Sequence, residues 1–337
     1  MSSPFFSINI PAYNCEKWII DAIESVKRQS FTDWEIVVLD DGSSDQTASL
    51  CRSQTIVPPE QFVFYSQTNK GPWEARRLMC EMSRGEYIVS LDGDDMLIDS
   101  DVLERIHDEL IRTNCDVLLF NATKNLEKRD KFIDYSQLAV TADGWVEPTD
   151  ALALMCVSYD LNNIWSKAYR RSCMHFDGVR EGLVSTEDRL QCFQLLENVV
   201  SCRLLDQVFY YYRTTSGSTS QSSYRPILMD NAFQVESYID SHAQALEYDR
   251  AERDRLLAKR IITFCGRVPE LGFSRRQRID YYRLTAERVR ENGFLASGCP
   301  DGIILRWRLA CSLLLSGHFA LLDIIIVCIY LLKSLFR

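Results

Sequence analysis

Three short apolar segments in the first hundred residues each end abruptly in polar side chains. Residues 7–10, 35–39 and 87–91 have β-favouring compositions. Stretches with apolar residues at helical spacing separate them through about residue 120. This alternation predicts βαβ units and a mainly parallel sheet flanked by helices. Because open α/β sheets bind ligands at the carboxyl ends of their strands, we expect the polar turns to form one site.

The turn after the third segment carries Asp92, Asp94 and Asp95. Carboxylates this close repel one another unless a cation lies among them. Oxygen-only ligands suit Mg²⁺ or Mn²⁺, which also keep positions open for water and phosphate oxygens. The turn lacks the later Gly and Glu of an EF-hand loop, which argues against a calcium site. It predicts a site for a metal and a diphosphate, and a solvated acidic turn is the alternative.

The turn after the second segment is also acidic and spans residues 40–45. Gly42 permits a tight turn there, and Ser44 or Asp45 is predicted to cap the next helix. A carboxylate held in this turn can accept a hydrogen bond from a base or a ribose hydroxyl. A single acidic turn arising by chance does not explain ligand-binding side chains at three strand ends.

The turn after the first segment has the sequence Pro-Ala-Tyr-Asn at residues 11–14. Asn14 is predicted to cap a helix whose apolar stripe runs from Trp18 to Val26. Tyr13 either stacks on a base at the strand end or packs beside the turn. This turn therefore adds a third candidate for ligand contact at the same edge.

These turns, with Asn-Lys-Gly-Pro at 69–72, Ala-Arg at 75–76 and Gly-Glu-Tyr at 85–87, resemble the family 2 glycosyltransferases of the GT-A fold. Their order and spacing match over about the first 100 residues, and weaker similarity extends to about residue 220. The resemblance implies a Rossmann-like α/β domain that transfers a sugar from a nucleotide diphosphate and inverts the anomeric centre. It also implies Mn²⁺ or Mg²⁺ bound by the Asp-x-Asp motif (DXD), and it alone favours uridine over guanosine.

The resemblance also gives individual residues a role. Matched by motif, the predicted donor-binding residues of this part of the chain are Pro11, Tyr13, Asp41, Arg76 and Asp92. Asp41 resembles the residue that reads the uracil, with Pro11 and Tyr13 lining the base pocket. Asp92 and Asp94 resemble the ribose and metal ligands, and we predict both as metal ligands. Arg77 stands where the family often has Asn, so it has no predicted role.

An inverting transfer needs a base that accepts the proton of the acceptor hydroxyl. The best candidate lies in residues 182–189, which open a helical stretch and contain Glu187 and Asp188. Acidic residues are favoured in the first turn of any helix, so helix chemistry alone explains them as well. The Thr-Glu-Asp triplet resembles the family motif whose Asp is the base. We therefore predict Asp188 as the base and Glu187 as a neighbour that shapes the acceptor pocket.

Two further segments are candidates for substrate contacts. In residues 162–171, Trp165 and Lys167 are predicted to contact the acceptor, and a Trp packed in the core with solvent-facing cations is the alternative. In residues 210–221, Arg213 and Ser218 are predicted to bind the donor diphosphate, unless this Ser/Thr/Gly stretch is a linker. Residues 303–307 lack the Gln of the Gln-x-x-Arg-Trp motif found in processive relatives, which favours single addition.

The pattern after residue 225 becomes helical, with Pro269 and Gly272 breaking the chain between two helical segments. Residues 309–332 are strongly apolar and are interrupted by His318 and Asp323. A central Asp costs about 2.5–3.5 kcal/mol in a membrane span, and basic residues flank both ends. We expect a peripheral or monotopic tail at the cytoplasmic face of the inner (plasma) membrane. A true span and a packed helix or dimer contact are the alternatives.

Charge and cysteine content exclude some classes of protein. The net charge of −9 argues against a nucleic-acid-binding surface, which needs clustered Lys and Arg. The 12 cysteines are scattered and form no Cys-x-x-Cys pair. Because no signal peptide is evident at the N-terminus, we expect a reducing compartment and reduced core cysteines.

Together these patterns predict a GT-A domain over residues 1–225, a helical extension over 226–300 and a membrane-associated tail over 303–337. The expected partners are a nucleotide sugar, a glycan or lipid-linked saccharide and the cytoplasmic membrane surface, in surface polysaccharide biosynthesis. A catalytically silent sugar-nucleotide-binding subunit is an alternative of another class, against which the intact acids argue. A nucleotidyltransferase would need a Gly-rich basic loop after the first strand, and residues 11–14 do not form one.

Overall fold

The computed structural model describes residues 3–176, 183–214 and 225–334, with side chains to residue 332. The chain divides into two compact units. The first contains residues 1–155 and 159–218, and the second contains residues 156–158 and 219–337. None of the 12 cysteines forms a disulfide, as expected from the sequence.

The first unit is built on one nine-stranded sheet. Its strands are β1 (Phe6–Ala12), β2 (Trp34–Asp40), β3 (Phe62–Ser66), β4 (Tyr87–Ser90), β5 (Met96–Leu97), β6 (Val117–Thr123), β7 (Trp145–Val146), β8 (Lys167–Arg170) and β9 (Cys202–Tyr211). They lie in the order β3-β2-β1-β4-β8-β6-β9-β5, and β7 also pairs with β9. The three strands predicted from apolar segments are therefore present as β1, β2 and β4.

The sheet is mainly parallel, as predicted, because six of its nine strands run in one direction and β5, β7 and β8 run the other way. β1 pairs in parallel with β2 and β4, β2 with β3, and β6 with β9. β8 lies antiparallel between β4 and β6, while β5 and β7 run antiparallel to β9. Because β8 is antiparallel to both its neighbours, β4 and β6 run in the same direction. The carboxyl ends of β1, β2, β3, β4, β6 and β9 consequently lie at one edge of the sheet.

The helices described in the first unit are α1 (Ile19–Lys27), α2 (Thr47–Ser53), α3 (Pro72–Met82), α4 (Val102–Thr113), α5 (Pro148–Val157) and α6 (Glu187–Glu197). The predicted apolar stripe of α1 is buried at Ile19, Ala22, Ile23 and Val26. The predicted cap at Asn14 was wrong, because α1 begins five residues later. Asn14 has φ +51°, in the left-handed region, whereas an N-cap residue takes an extended backbone.

The second unit is helical. It contains α7 (Pro226–His242), α8 (Arg250–Arg267), α9 (Arg275–Glu291), α10 (Leu305–Leu315) and α11 (Phe319–Ser334). The predicted break at Pro269 and Gly272 lies between α8 and α9, where Gly272 has φ +66°. Ser274 then starts α9 with a capping box to Gln277. Apolar side chains from all five helices share one core.

The apolar tail folds into two helices separated at Gly317, whose φ is +79°. In the described part of the chain, no helix combines the length and the hydropathy that crossing a membrane requires. Asp323, which interrupts the apolar run, is 2% exposed and accepts two hydrogen bonds from Arg278, at 2.7 and 3.0 Å. The described part of this stretch thus packs on the core of the second unit, and its predicted attachment to a membrane surface stays a prediction.

Replacing Asp323 with Ala should lower the free energy of unfolding by about 3–5 kcal/mol, because it leaves the Arg278 guanidinium without its buried partner. Chemical denaturation followed by circular dichroism measures this. The control is Asp280→Ala, which breaks the exposed pair with Arg283 and should cost less than about 1 kcal/mol. Equal losses for the two variants would contradict the assigned importance of the buried pair.

Candidate active site

The turns after β1 and β2 are joined by hydrogen bonds at the carboxyl edge of the sheet. The Asn14 amide donates to Ser43 Oγ at 2.9 Å, and Asn14 Oδ1 accepts a hydrogen bond from the Ser44 amide at 2.8 Å. Asn14, with its left-handed backbone, thus connects the turns after β1 and β2 by hydrogen bonds rather than capping a helix. Beside these hydrogen bonds, Tyr13 is 55% exposed and Pro11 is half-buried. These two residues present a surface where the predicted base pocket lies.

Asp41 is buried and holds a third loop against the first two. Its carboxylate accepts hydrogen bonds from Gln67 Nε2 at 2.8 Å and from the amides of Lys70 at 2.9 Å and Gly71 at 2.8 Å. The adjacent Gly42 has φ +74°, and a Cβ there would lie 2.7 Å from the Asn69 nitrogen. Asp41 therefore shapes the loop that leads into α3. Its predicted contact with uracil stays a prediction.

Arg76, on α3, connects the turn after β4 to the first turn of α6. Its guanidinium lies 3.6 Å from Asp92 Oδ1, 3.4 Å from Glu187 Oε1 and 2.6 Å from Asp188 Oδ1. The Arg76 side chain is nearly buried, while those of Asp92 and Asp188 remain about a quarter exposed. The structure thus brings together four residues that the sequence assigned to donor, metal, acceptor and base.

Negative charge exceeds positive charge in this cluster. Burial raises the pKa of Asp92 to about 7 against the opposing effect of Arg76, and the charges of Asp188 and Asp94 raise it further. Burial and the Asp188 charge likewise raise the pKa of Glu187 to about 7. Among the described residues, one guanidinium therefore faces three carboxylates in this cluster, and the site is suited to a further cation.

The carboxylates of Asp92 and Asp94 fit a hard divalent cation. They supply oxygen ligands in one short turn, and they leave the other positions to water and phosphate oxygens, as Mg²⁺ prefers. Within the described ranges, no group of three or more His, Cys, Asp or Glu side chains is arranged as a metal cage. Asp92 and Asp94 are the residues of this turn that would hold such an ion.

Asp95 has a different environment from its two neighbours. It is 1% exposed, and its carboxylate accepts hydrogen bonds from the Tyr210 hydroxyl at 2.6 Å and the Arg213 amide at 2.7 Å. The Tyr210 hydroxyl in turn accepts a hydrogen bond from the Asp92 amide at 3.0 Å. Tyr210 and Asp95 therefore anchor the acidic turn to β9, a role that the sequence did not reveal beyond the run of three tyrosines.

Arg213 fastens the same turn from the other side. Its Nε donates to the Asp94 carbonyl at 2.9 Å, Nη2 lies 3.2 Å from Asp21 Oδ2, and the guanidinium lies over the Trp18 ring. In this structure Arg213 positions the acidic turn, and its predicted contact with the donor diphosphate stays a prediction. Ser218, the other residue predicted in that segment, lies outside the described residues.

Trp165 and Lys167 lie in the core rather than on a surface that an acceptor reaches. Trp165 is 3% exposed and stacks on Tyr210, with ring centroids 4.6 Å apart. Lys167 is fully buried and donates to the carbonyls of Leu161 at 2.9 Å and Asn163 at 2.7 Å. The packed Trp matches the alternative interpretation, although Lys167 is buried rather than solvent-facing. Neither residue is part of the site described above.

The fold is that of the GT-A class of sugar transferases. The structure resembles the crystal structure of residues 1–349 of S. aureus TarS in complex with UDP-GlcNAc, with a TM-score of 0.63 and 21% identity. The match covers 96% of this chain and 90% of that one. A sequence model of the family described as Glycosyl transferase family 2 matches residues 7–182, and the chain belongs to this family.

Curated relatives point to the same family. The chain is 35% identical to the chondroitin synthase of Escherichia coli over 130 residues, which cover 39% of this chain and 19% of that protein. It is 27% identical over 263 residues to the poly(ribitol-phosphate) beta-N-acetylglucosaminyltransferase TarS of Staphylococcus aureus, covering 75% and 43%. It is 26% identical to the uncharacterized glycosyltransferase EpsJ of Bacillus subtilis, covering 67% and 65%. The matched regions thus span less than two thirds of each of these relatives.

Replacing Tyr210 with Phe should lower the free energy of unfolding by about 1–3 kcal/mol, because the buried Asp95 carboxylate loses its hydroxyl donor. Chemical denaturation followed by intrinsic fluorescence measures the change. Tyr211→Phe is the matched control, since the Tyr211 hydroxyl makes no hydrogen bond to any of the described residues. A loss of the same size in both variants would argue against the anchoring role.

Proposed function

We propose that this protein is an inverting glycosyltransferase that moves a sugar from a UDP-sugar to a hydroxyl of a glycan or lipid-linked saccharide. The contact of Arg76 with both Asp92 and Asp188 carries the proposal, because it joins the acidic turn after β4 to a carboxylate suited to proton transfer. Diphosphate chemistry and hydroxyl activation must occur next to each other in such a reaction. Membership of glycosyl transferase family 2 supports this assignment.

The choice of donor is supported by the similarity to TarS, whose crystal structure contains UDP-GlcNAc. The names of TarS and of chondroitin synthase also describe enzymes that build sugar-containing polymers. We therefore place this protein in surface polysaccharide biosynthesis. The exposed Tyr13 and the half-buried Pro11 would contact the base, beside the loop that Asp41 holds.

Asp92 and Asp94 would hold Mg²⁺ or Mn²⁺. When bound, such an ion would neutralise the charge that develops on the departing nucleotide diphosphate. Arg76 contacts the carboxylates of Asp92, Glu187 and Asp188 at 2.6–3.6 Å. It would keep these three acids in place when no donor is bound.

Asp188 would act as the general base. An acceptor hydroxyl oxygen forms the new bond to the anomeric carbon while its proton passes to Asp188, and the bond to the diphosphate oxygen breaks. Attack from the face opposite the diphosphate inverts the anomeric centre, so an α-linked donor yields a β-linked product. Glu187 lies beside Asp188 in the first turn of α6 and would border the acceptor.

The donor site is tested by calorimetric titration of UDP into the full chain with and without Mn²⁺. We expect binding that requires Mn²⁺, and binding at least about tenfold weaker in Asp94→Ala, because that variant loses a metal ligand. Asp101→Ala is the matched control, since this half-exposed acid lies six residues beyond Asp95 and its carboxylate is 3.8 Å from Arg105. Absence of UDP binding in both conditions would overturn the uridine assignment and direct the titration to GDP.

The base is tested by replacing Asp188 with Asn. Transfer from UDP-sugars to lipid-linked saccharides should fall by about 10²–10⁴-fold, because no carboxylate accepts the hydroxyl proton. UDP affinity should stay within about threefold. Glu197→Gln, at the other end of α6, is the control for the helix and should retain transfer. Loss of UDP binding in Asp188→Asn, or unchanged transfer, would contradict the assignment.

A further inference from the structure

The outward side of α11 is apolar, and its one charge points inward. Leu321, Ile324, Leu331 and Leu332 are each about half exposed, and Cys328 is exposed between them. Asp323 is the only charged residue from position 319 to position 332, and it lies against Arg278 in the core of the second unit. A helix at a water surface normally has the opposite arrangement, with charges outside. This orientation indicates that an apolar medium or partner covers the outward side.

The width of the exposed apolar face of α11 distinguishes a lipid surface from a second protein helix as its partner. At about 100° per residue, the exposed positions of α11 from Ala320 to Leu332 span an arc of about 120°. Pairing of two helices needs only a narrow stripe of positions at 3.5-residue spacing. A broad apolar face matches a helix that lies in the plane of a lipid interface. The geometry therefore favours lipid over a second copy of the chain.

The charges around α11 favour anionic lipid. Exposed Arg275 lies 3.8 Å from Asp323. The guanidinium of Arg283, which is exposed and also pairs with Asp280, lies 5.9 Å from the Phe319 ring centroid. On α10, Arg306 and Arg308 are exposed as well. A second copy pairing through this face would bring the same arginines together, whereas anionic headgroups would attract them.

The sequence has the same charge asymmetry. Residues 303–337 contain four Lys or Arg and one Asp. Subtracting these from the totals of 38 basic and 47 acidic residues leaves 34 basic and 46 acidic residues in the rest of the chain. An anionic surface would thus repel most of the protein and attract this segment.

We propose that the outward face of α11 docks on an anionic lipid bilayer, with the helix lying in the interface. Arg275 and Arg283 contact the headgroups, and the exposed leucines and Ile324 enter the acyl boundary. The proposal stands on the second unit alone and does not depend on the proposed transferase activity.

The test is co-sedimentation of the full chain with vesicles of phosphatidylglycerol and phosphatidylcholine, and with vesicles of phosphatidylcholine alone. Binding to the anionic vesicles should be at least about tenfold tighter. Leu321→Glu/Ile324→Glu should weaken it at least tenfold, because two charges enter the apolar face. The matched control is Ile111→Glu/Val200→Glu, which adds the same charge at exposed apolar positions of the first unit and should change binding less than threefold.

The arginines are tested separately. Arg275→Gln and Arg283→Gln should each weaken binding to anionic vesicles about fivefold, and neither should change binding to phosphatidylcholine. A polarity-sensitive fluorophore on Cys328 should shift to the blue with anionic vesicles, and the shift should be lost in Cys328→Ser. Equal thermal unfolding midpoints of all variants confirm that each is folded.

Two outcomes would overturn the proposal. One is vesicle binding that Leu321→Glu/Ile324→Glu leaves unchanged. The other is absence of vesicle binding together with a dimer, in sedimentation velocity, that this double variant dissociates. The second result would assign the face to a second copy of the chain.

Discussion

The contact of one buried guanidinium with three carboxylates organises the candidate active site. Arg76 on α3 reaches Asp92 in the turn after β4 and both Glu187 and Asp188 at the start of α6, over 100 residues further along the chain. Without that charge, these acids would repel one another in a poorly solvated cleft. The single charge of Arg76 does not balance three carboxylates, and this excess of negative charge supports our proposal that Asp92 and Asp94 hold a divalent cation.

The acidic turn after β4 is held by contacts with the end of β9 as well as by Arg76. Asp95 accepts hydrogen bonds from Tyr210 of β9 and from the amide of Arg213, which follows that strand. The three neighbouring acids are therefore not equivalent, because Asp95 anchors the turn while Asp92 and Asp94 are the proposed metal ligands. It depends on the sheet, because β9 runs parallel to β6, and β8 aligns β6 with β4. The order of the strands thus brings the carboxyl end of β9 to the same edge of the sheet as those of β1, β2 and β4.

In the second unit, a buried ion pair stabilises a single carboxylate in an apolar stretch. Its apolar C-terminal stretch contains one carboxylate, which is stabilised by the Arg278 guanidinium inside the helical core. Directing Asp323 inward leaves the outward side of α11 without charge over more than three turns. The same contact therefore stabilises the helical packing and creates the apolar face that we assign to a lipid surface.

The sequence by itself determined the local features: β1, β2 and β4, the turns that end them, the helical C-terminal region, and the family. These depend on residue order over short distances, where alternating composition and turn residues act directly. Only the tertiary structure decided the antiparallel insertion of β8, the burial of Trp165 and Lys167, and the anchoring role of Tyr210. It also decided that the apolar tail packs as two helices, because the ion pair between Asp323 and Arg278 joins residues 45 positions apart. Such contacts depend on which elements meet in space, and no local pattern encodes that.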